Sequence, residues 1–187
     1  MLRLLSLSLI VLLAAVSVLS ADPVELAYDN GSYAGAFQDL TDRHMEGVCF
    51  SPAHPCSLLS VRIYTVGSGT MEVHVWGDNG AHEPDQTNDL IEPIEVDVSN
   101  GRWTTIDLSE AGLVFDPPRD FHIGHHCRGA RPSIGVDNGD PFEQRSHLWA
   151  YNQGLRAWLW HTIGGNFMVR ATVEYFNELD EDSSRFK

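Results

Sequence analysis

Lysine is almost missing from this 187-residue chain: Lys187 is the only one, and arginine supplies the rest of its 12 basic residues. Against 26 Asp and Glu, the formal net charge is −14. Phosphate backbones are held by surplus Lys and Arg, so a nucleic-acid binder working through a general basic surface is excluded. Cysteine is scarce, with three residues and no Cys-x-x-Cys, so no cysteine-rich metal knuckle is framed. No stretch sustains an amphipathic helical period, and no second long apolar run follows the first twenty residues. Gly-x-Ser-x-Gly, His-Glu-x-x-His and phosphate-binding glycine loops are all absent. Their absence removes the nucleophile elbow, the zincin helix and the nucleotide-binding turn from consideration.

What is present begins with a leader. Met1-Leu2-Arg3 gives a positive start, Leu4 to Leu19 is apolar apart from three serines, and Val18-Leu19-Ser20-Ala21 precedes Asp22-Pro23. A charged start, an apolar run and small residues at the cut make a secretory signal, with cleavage after Ser20 or Ala21. The run is shorter than the roughly 20 residues that span a bilayer. The expectation is therefore a signal peptide over 1–21, one domain over 22–176 and an acidic tail over 177–187. The mature protein is expected to be secreted, periplasmic or at the cell surface, with no membrane insertion after cleavage. Cys49 and Cys56 bracket a short Pro-rich stretch, and in an oxidising compartment they are the natural disulfide, with Cys127 left over.

The mature chain alternates with period two. Val61, Ile63 and Thr65 alternate with polar neighbours, as do Met71, Val73 and Val75, then Ile94, Val96 and Val98, and Phe167, Val169, Ala171, Val173 and Tyr175. Alternation of this kind marks half-buried strands. Between the runs stand turn signals such as Asp29-Asn30-Gly31, Gly67-Ser68-Gly69, Asp78-Asn79-Gly80 and Asn100-Gly101. Many short strands set apart by turns predict an all-β protein, a two-sheet antiparallel β-sandwich. Residues 81–90 read as a polar loop between the sheets, and Ser109-Glu110-Ala111-Gly112 as one helical turn.

Three constellations bear on chemistry. The first is His122-Ile123-Gly124-His125-His126-Cys127. If Phe121 and Ile123 face the core, His125 and Cys127 share that face, and His122 and His126 point out. Each face then offers two ligands, and a zinc site would need a third from His74, His147 or His161. The second is the acidic turns: Asp78, Asp137 and Asp140 could supply the hard oxygens that calcium prefers, although none completes an EF-hand spacing. The same strings suit tight turns, and that plainer reading is preferred. Calcium is the one cofactor these turns suggest. The third is aromatic: Trp149 and Tyr151 precede the turn at Asn152-Gln153-Gly154, and Trp158 and Trp160 follow it. Such rings either stack on sugar rings or pair across the hairpin and cover the core.

Several strings in order carry a resemblance: Leu26-Ala27-Tyr28-Asp29-Asn30-Gly31, Val48-Cys49-Phe50-Ser51-Pro52, Val73-His74-Val75-Trp76-Gly77-Asp78-Asn79-Gly80, Pro132-Ser133-Ile134-Gly135-Val136-Asp137, Arg145-Ser146 and Asn166-Phe167-Met168-Val169-Arg170-Ala171. From Leu26 to Tyr175 the chain resembles a group of bacterial secreted β-sandwich modules, found alone or appended to exported peptidases and surface proteins. The resemblance implies a jelly-roll-like sandwich of accessory or binding type and brings no catalytic residues with it. The chain is expected to depart from the appended forms by standing alone, with no peptidase or sorting domain after Tyr175.

The leading expectation is an exported, non-enzymatic sandwich that binds a carbohydrate or a surface protein through Trp149, Tyr151, Trp158 and Trp160. A small secreted hydrolase, metal-dependent through His122, His125 or His126 or based on paired carboxylates, is the alternative from another class. A structural cell-surface or assembly subunit is the third.

Overall fold

In the computed structural model the described residues are 22–38, 40–115, 119–139 and 143–176. The segments expected as signal peptide and acidic tail, and Asp140, lie outside them. The strands in chain order are β1 (Val24–Ala27), β2 (Met45–Phe50), β3 (Cys56–Val66), β4 (Gly69–Asp78) and β5 (Pro84–Asp89). Then come β6 (Ile94–Val98), β7 (Arg102–Asp107), β8 (Val114–Phe115), β9 (Phe121–His126) and β10 (Ser133–Ile134). The last are β11 (Val136–Asp137), β12 (Ser146–Asn152), β13 (Ala157–Thr162), β14 (Asn166–Phe167) and β15 (Val169–Tyr175). The expected helical turn is a 3-10 turn at Ser109–Ala111 that ends on Gly112 in the left-handed region.

Two large antiparallel sheets make the expected sandwich. The six-stranded sheet is built around β3, which pairs β15 on one edge and β7 and β8 on the other; β1 extends it beyond β15, and β10 joins the end of β3. The seven-stranded sheet runs β13-β12-β2-β9-β4, and β4 carries both β5 and β6. A small pair, β11 with β14, stands apart. From β1 to β4 each strand changes sheet, the winding expected of a jelly-roll-like chain. Two of the crossings lie side by side: Gly67 donates its N–H to the Asn100 side chain (2.8 Å), and Asn100 donates to Ser68 Oγ (2.9 Å).

The period-two reading places the core correctly. Val61, Ile63, Met71, Val73, Val75, Val169, Ala171 and Val173 are all buried between the sheets, with Phe50, Phe115 and Phe121 stacked among them. On the outer face of the six-stranded sheet Arg170 closes the surface. It binds Asp29 and Glu25 at 2.7 and 3.0 Å and lies over the Trp103 ring at 4.7 Å.

Two expectations need correction. Residues 81–90 do not form a free loop, because Pro84–Asp89 pairs with β4 as an edge strand. Its pairing jumps between Trp76 and Gly77, so the middle of the strand bulges away from the ladder. An edge strand held by backbone bonds needs no apolar side, which is why alternation gave no sign of it. The disulfide does not form either: Cys49, Cys56 and Cys127 are all free and buried. Val48 and Phe50 point into the core, so Cys49 between them points to the outer face of the seven-stranded sheet. Cys56 opens β3 in the opposite sheet and faces inward. The short link joins two sheets and turns the thiols away from each other.

Glu46 is an acid sealed between the sheets. It accepts the Ile134 N–H (2.8 Å) and the Ser133 hydroxyl (2.9 Å) of β10, tying the two sheets together at that end. Burial pushes its carboxyl up to about 7 from 4.5, and the bonds from Ile134 and Ser133 and the charge of Arg131 offset only part of this.

Two outcomes follow. Titration of the unfolded protein without reductant should find all three cysteines as thiols, whereas a Cys49–Cys56 bridge would leave only one. The folded protein holds the Glu46 proton up to about pH 7, while the unfolded chain loses it near 4.5. This contribution is complete below 4.5 and is lost as pH rises through about 7. Glu46→Gln should therefore remove a loss of about 2–3 kcal/mol between about pH 5 and about pH 8, read by urea unfolding at the two values.

Candidate functional site

The outer face of the seven-stranded sheet gathers most of the histidines and tryptophans. Its centre is a gap in the side-chain layer: Gly47 of β2 and Gly124 of β9 are register partners. A Cβ on Gly124 would lie 2.3 Å from Trp76 Cζ3 and 2.3 Å from the Glu46 carbonyl oxygen, so only glycine admits the indole there. Trp76 consequently lies down on the sheet and is 1% exposed. Its neighbours organise around it, with His74 stacked at 4.8 Å, Trp160 edge-on at 6.0 Å and Trp149 against Trp160 at 5.5 Å.

The four expected aromatics separate into two pairs. Trp149 and Trp160 are cross-strand partners and, with Leu159, form one wall of a cleft of about 330 Å3. The bulged strand β5 makes the other wall with Pro84, Asp85, Gln86 and Thr87, joined by Asn79 and Glu83. Gln86 Oε1 is buried without a hydrogen-bond partner. Tyr151 and Trp158 pair at 5.9 Å nearer the hairpin tip, where Trp158 meets the His44 ring edge-on at 5.1 Å; neither lines this cleft. Period two revealed the shared face. The opposing wall was hidden, because β5 has no alternation to announce it.

A second cleft, of about 340 Å3, opens on the far side of Glu83 and is lined by Cys49, Ser51, His82, Arg145 and His147, among others. Asp120 anchors it: Ser51 Oγ donates to Oδ1 (2.5 Å) and His82 Nδ1 sits 2.7 Å from Oδ2. Arg145 donates in turn to Ser51 Oγ. Burial pushes the Asp120 carboxyl up, but the bonds from Ser51, His82 and Cys49 hold it below the usual carboxylate range. The carboxylate stands between serine and histidine, so His82 cannot take the serine proton and the order is not that of a catalytic triad. Burial, with the nearby charge of Asp120, pushes the Cys49 thiol up to about 12, so it is no thiolate nucleophile. His147 is buried with both ring nitrogens unpartnered, and burial brings it down to about 4. His122, 6.1 Å from it, binds Asp78 through Nε2 (3.0 Å) and leaves Nδ1 unpartnered.

Of the expected calcium ligands Asp140 lies outside the described residues, and Asp78 and Asp137 each hold protein partners. Asp78 is occupied by His122 and by the Gly80 N–H (2.6 Å). Asp137, on β11, accepts the N–H groups of Asn30 and Gly139. Among the described residues three other groups have metal-ligating spacing: Glu46–His125–Cys127, Cys49–His82–Asp120 and Glu72–His74–His126. His125 and Cys127 face inward and His126 outward, as alternation required; His122 is likewise on the outer face. The carboxylates completing these groups went unseen, because cross-strand register joins residues that sequence spacing keeps apart.

Gly124→Ala should cost about 1–3 kcal/mol of stability, since the added methyl meets backbone and indole together. Denaturant unfolding measures the loss, and a fall in Trp fluorescence anisotropy would report the displaced Trp76. The chain matches no protein-family model and no curated protein, so these contacts alone carry the functional reading.

Proposed function

We propose that this protein is an exported β-sandwich binding module without catalysis of its own, and that it binds carbohydrate in the cleft between the Trp149–Trp160 pair and β5. The observation that carries the reading is the pairing of opposite walls. An aromatic wall offers the flat contact that the C–H face of a sugar ring takes, and the facing amide, carboxylate and hydroxyl groups suit its rim of hydroxyls. Gln86 lines the cleft and adds an amide to the polar wall that meets the sugar hydroxyls.

Charge narrows the ligand. Glu83 and Asp85 line the cleft and the chain carries −14 overall, so neutral or amino sugars fit and uronate or sulfated chains are repelled. A cleft of this size takes a short saccharide end more readily than a protein surface, which would need a wide flat patch.

Glycan-array screening followed by calorimetry tests the reading. Trp149→Ala should weaken binding about tenfold or more, equivalent to about 1.4 kcal/mol, and Gln86→Ala should weaken it less. Absence of any glycan ligand, or full affinity in the Trp149 variant, would count against carbohydrate binding.

A further inference from the structure

Independently of the cleft, the geometry points to a zinc site on the same face, with Glu72, His74 and His126 as ligands and a fourth position open to water. Glu72 and His74 stand two apart on β4 and so share the outer face, and His126 of β9 is the register partner of Glu72. Glu72 Oε1 lies 3.2 Å from His74 Nε2 and 3.9 Å from His126 Nδ1, and the three ligand atoms lie within 4.8 Å of one another. Tetrahedral zinc with bonds of about 2.0–2.1 Å separates its ligand atoms by about 3.3 Å. Side-chain adjustments well under 2 Å, on the order of one rotamer's play, would close the set.

The rings are already turned for it. His126 Nε2 is 2.9 Å from the Asp42 carbonyl oxygen, which can only accept, so Nε2 carries hydrogen and the neutral ring aims its Nδ1 lone pair toward Glu72. His74 Nδ1 is 2.8 Å from Asp89 Oδ1, which assigns hydrogen there and leaves Nε2, the atom nearest Glu72, as the ligand. Carboxylate and carbonyl partners on the distal nitrogens are what metal-binding histidines use to fix ring and tautomer. The stack of His74 on Trp76 holds its plane as well.

The other two groups lack these features. Glu46–His125–Cys127 is sealed between the sheets, and Cys49–His82–Asp120 has a protonated thiol and the Arg145 guanidinium close by. At the proposed site His126 is 38% exposed, so an ion can reach it from solvent. Arg128 pairs with the second oxygen of Glu72 and with Glu95, which leaves Oε1 for the ion. Two imidazoles and one carboxylate form a borderline ligand set that favours zinc over calcium or magnesium.

The test uses the full chain, purified without a polyhistidine tag, stripped with chelator and titrated with zinc chloride by calorimetry. One zinc per chain is expected, with tetrahedral d–d absorption when cobalt(II) replaces it. His126→Ala, at a half-exposed position, should weaken zinc at least tenfold and abolish the cobalt spectrum. Asp89→Asn should weaken zinc by about 10–100-fold through His74 alone. No zinc uptake, or uptake unchanged in folded His126→Ala protein, overturns the proposal.

Discussion

The pair of facing glycines, Gly47 and Gly124, is the constraint on which the outer face depends. Two adjacent strands of the seven-stranded sheet give up their side chains at one register position, and the Trp76 indole fills the space. A tryptophan laid flat on a sheet provides a second floor. His74 stacks on it, Trp160 leans its edge against it and Trp149 leans on Trp160. Pro84 of β5 lies over Gly47, which brings the bulged strand across as a facing wall. Without the gap, Trp76 would stand away from the sheet, and neither the cleft wall nor the orientation of His74 would survive.

The fold was legible because burial in a sandwich imposes period two, and this chain keeps it. Phe121, Ile123, His125 and Cys127 point inward and His122 and His126 outward, as strand geometry alone demanded. The failures share one cause. Alternation tells which face a residue occupies but not which strand lies beside it or which sheet the strand joins. Cys49 and Cys56 are close in sequence and look like a bridge, yet β2 and β3 belong to different sheets. Glu72 and His126 are far apart in sequence, yet they are register partners. The polar β5 is bound by its backbone and therefore leaves no side-chain signature. Of the aromatic hairpin, the sequence identified the face, while the division into a cleft pair and a tip pair depended on where β5 crosses.

The acid surplus also takes on a structural meaning. On the outer surface of the six-stranded sheet Asp29 and Glu25 are matched by arginine, in the Arg170 cluster. On the opposite sheet histidine does most of this work: His74 for Asp89 and Glu72, His82 for Asp120, His122 for Asp78. Arginine joins it there at Arg128, which pairs with Glu72 and Glu95.

That substitution has a chemical consequence which a lysine would not have. A lysine ammonium partnered to a carboxylate has only hydrogens to present. A neutral imidazole that gives its one N–H to a carboxylate or carbonyl must present a lone pair from the other nitrogen. Where that second nitrogen meets nothing, as at His122 Nδ1, a buried acceptor is left unfilled. Where it meets another carboxylate, as His74 Nε2 meets Glu72, two acceptors face each other, and only a proton or a metal cation between them removes the repulsion. His126 adds a second lone pair at the same point, with its own hydrogen fixed on the Asp42 carbonyl. A single proton can satisfy two of these three acceptors, whereas a divalent ion can satisfy all three. The acid surplus that excludes a general basic surface thus also shapes a face where histidine lone pairs and carboxylates converge.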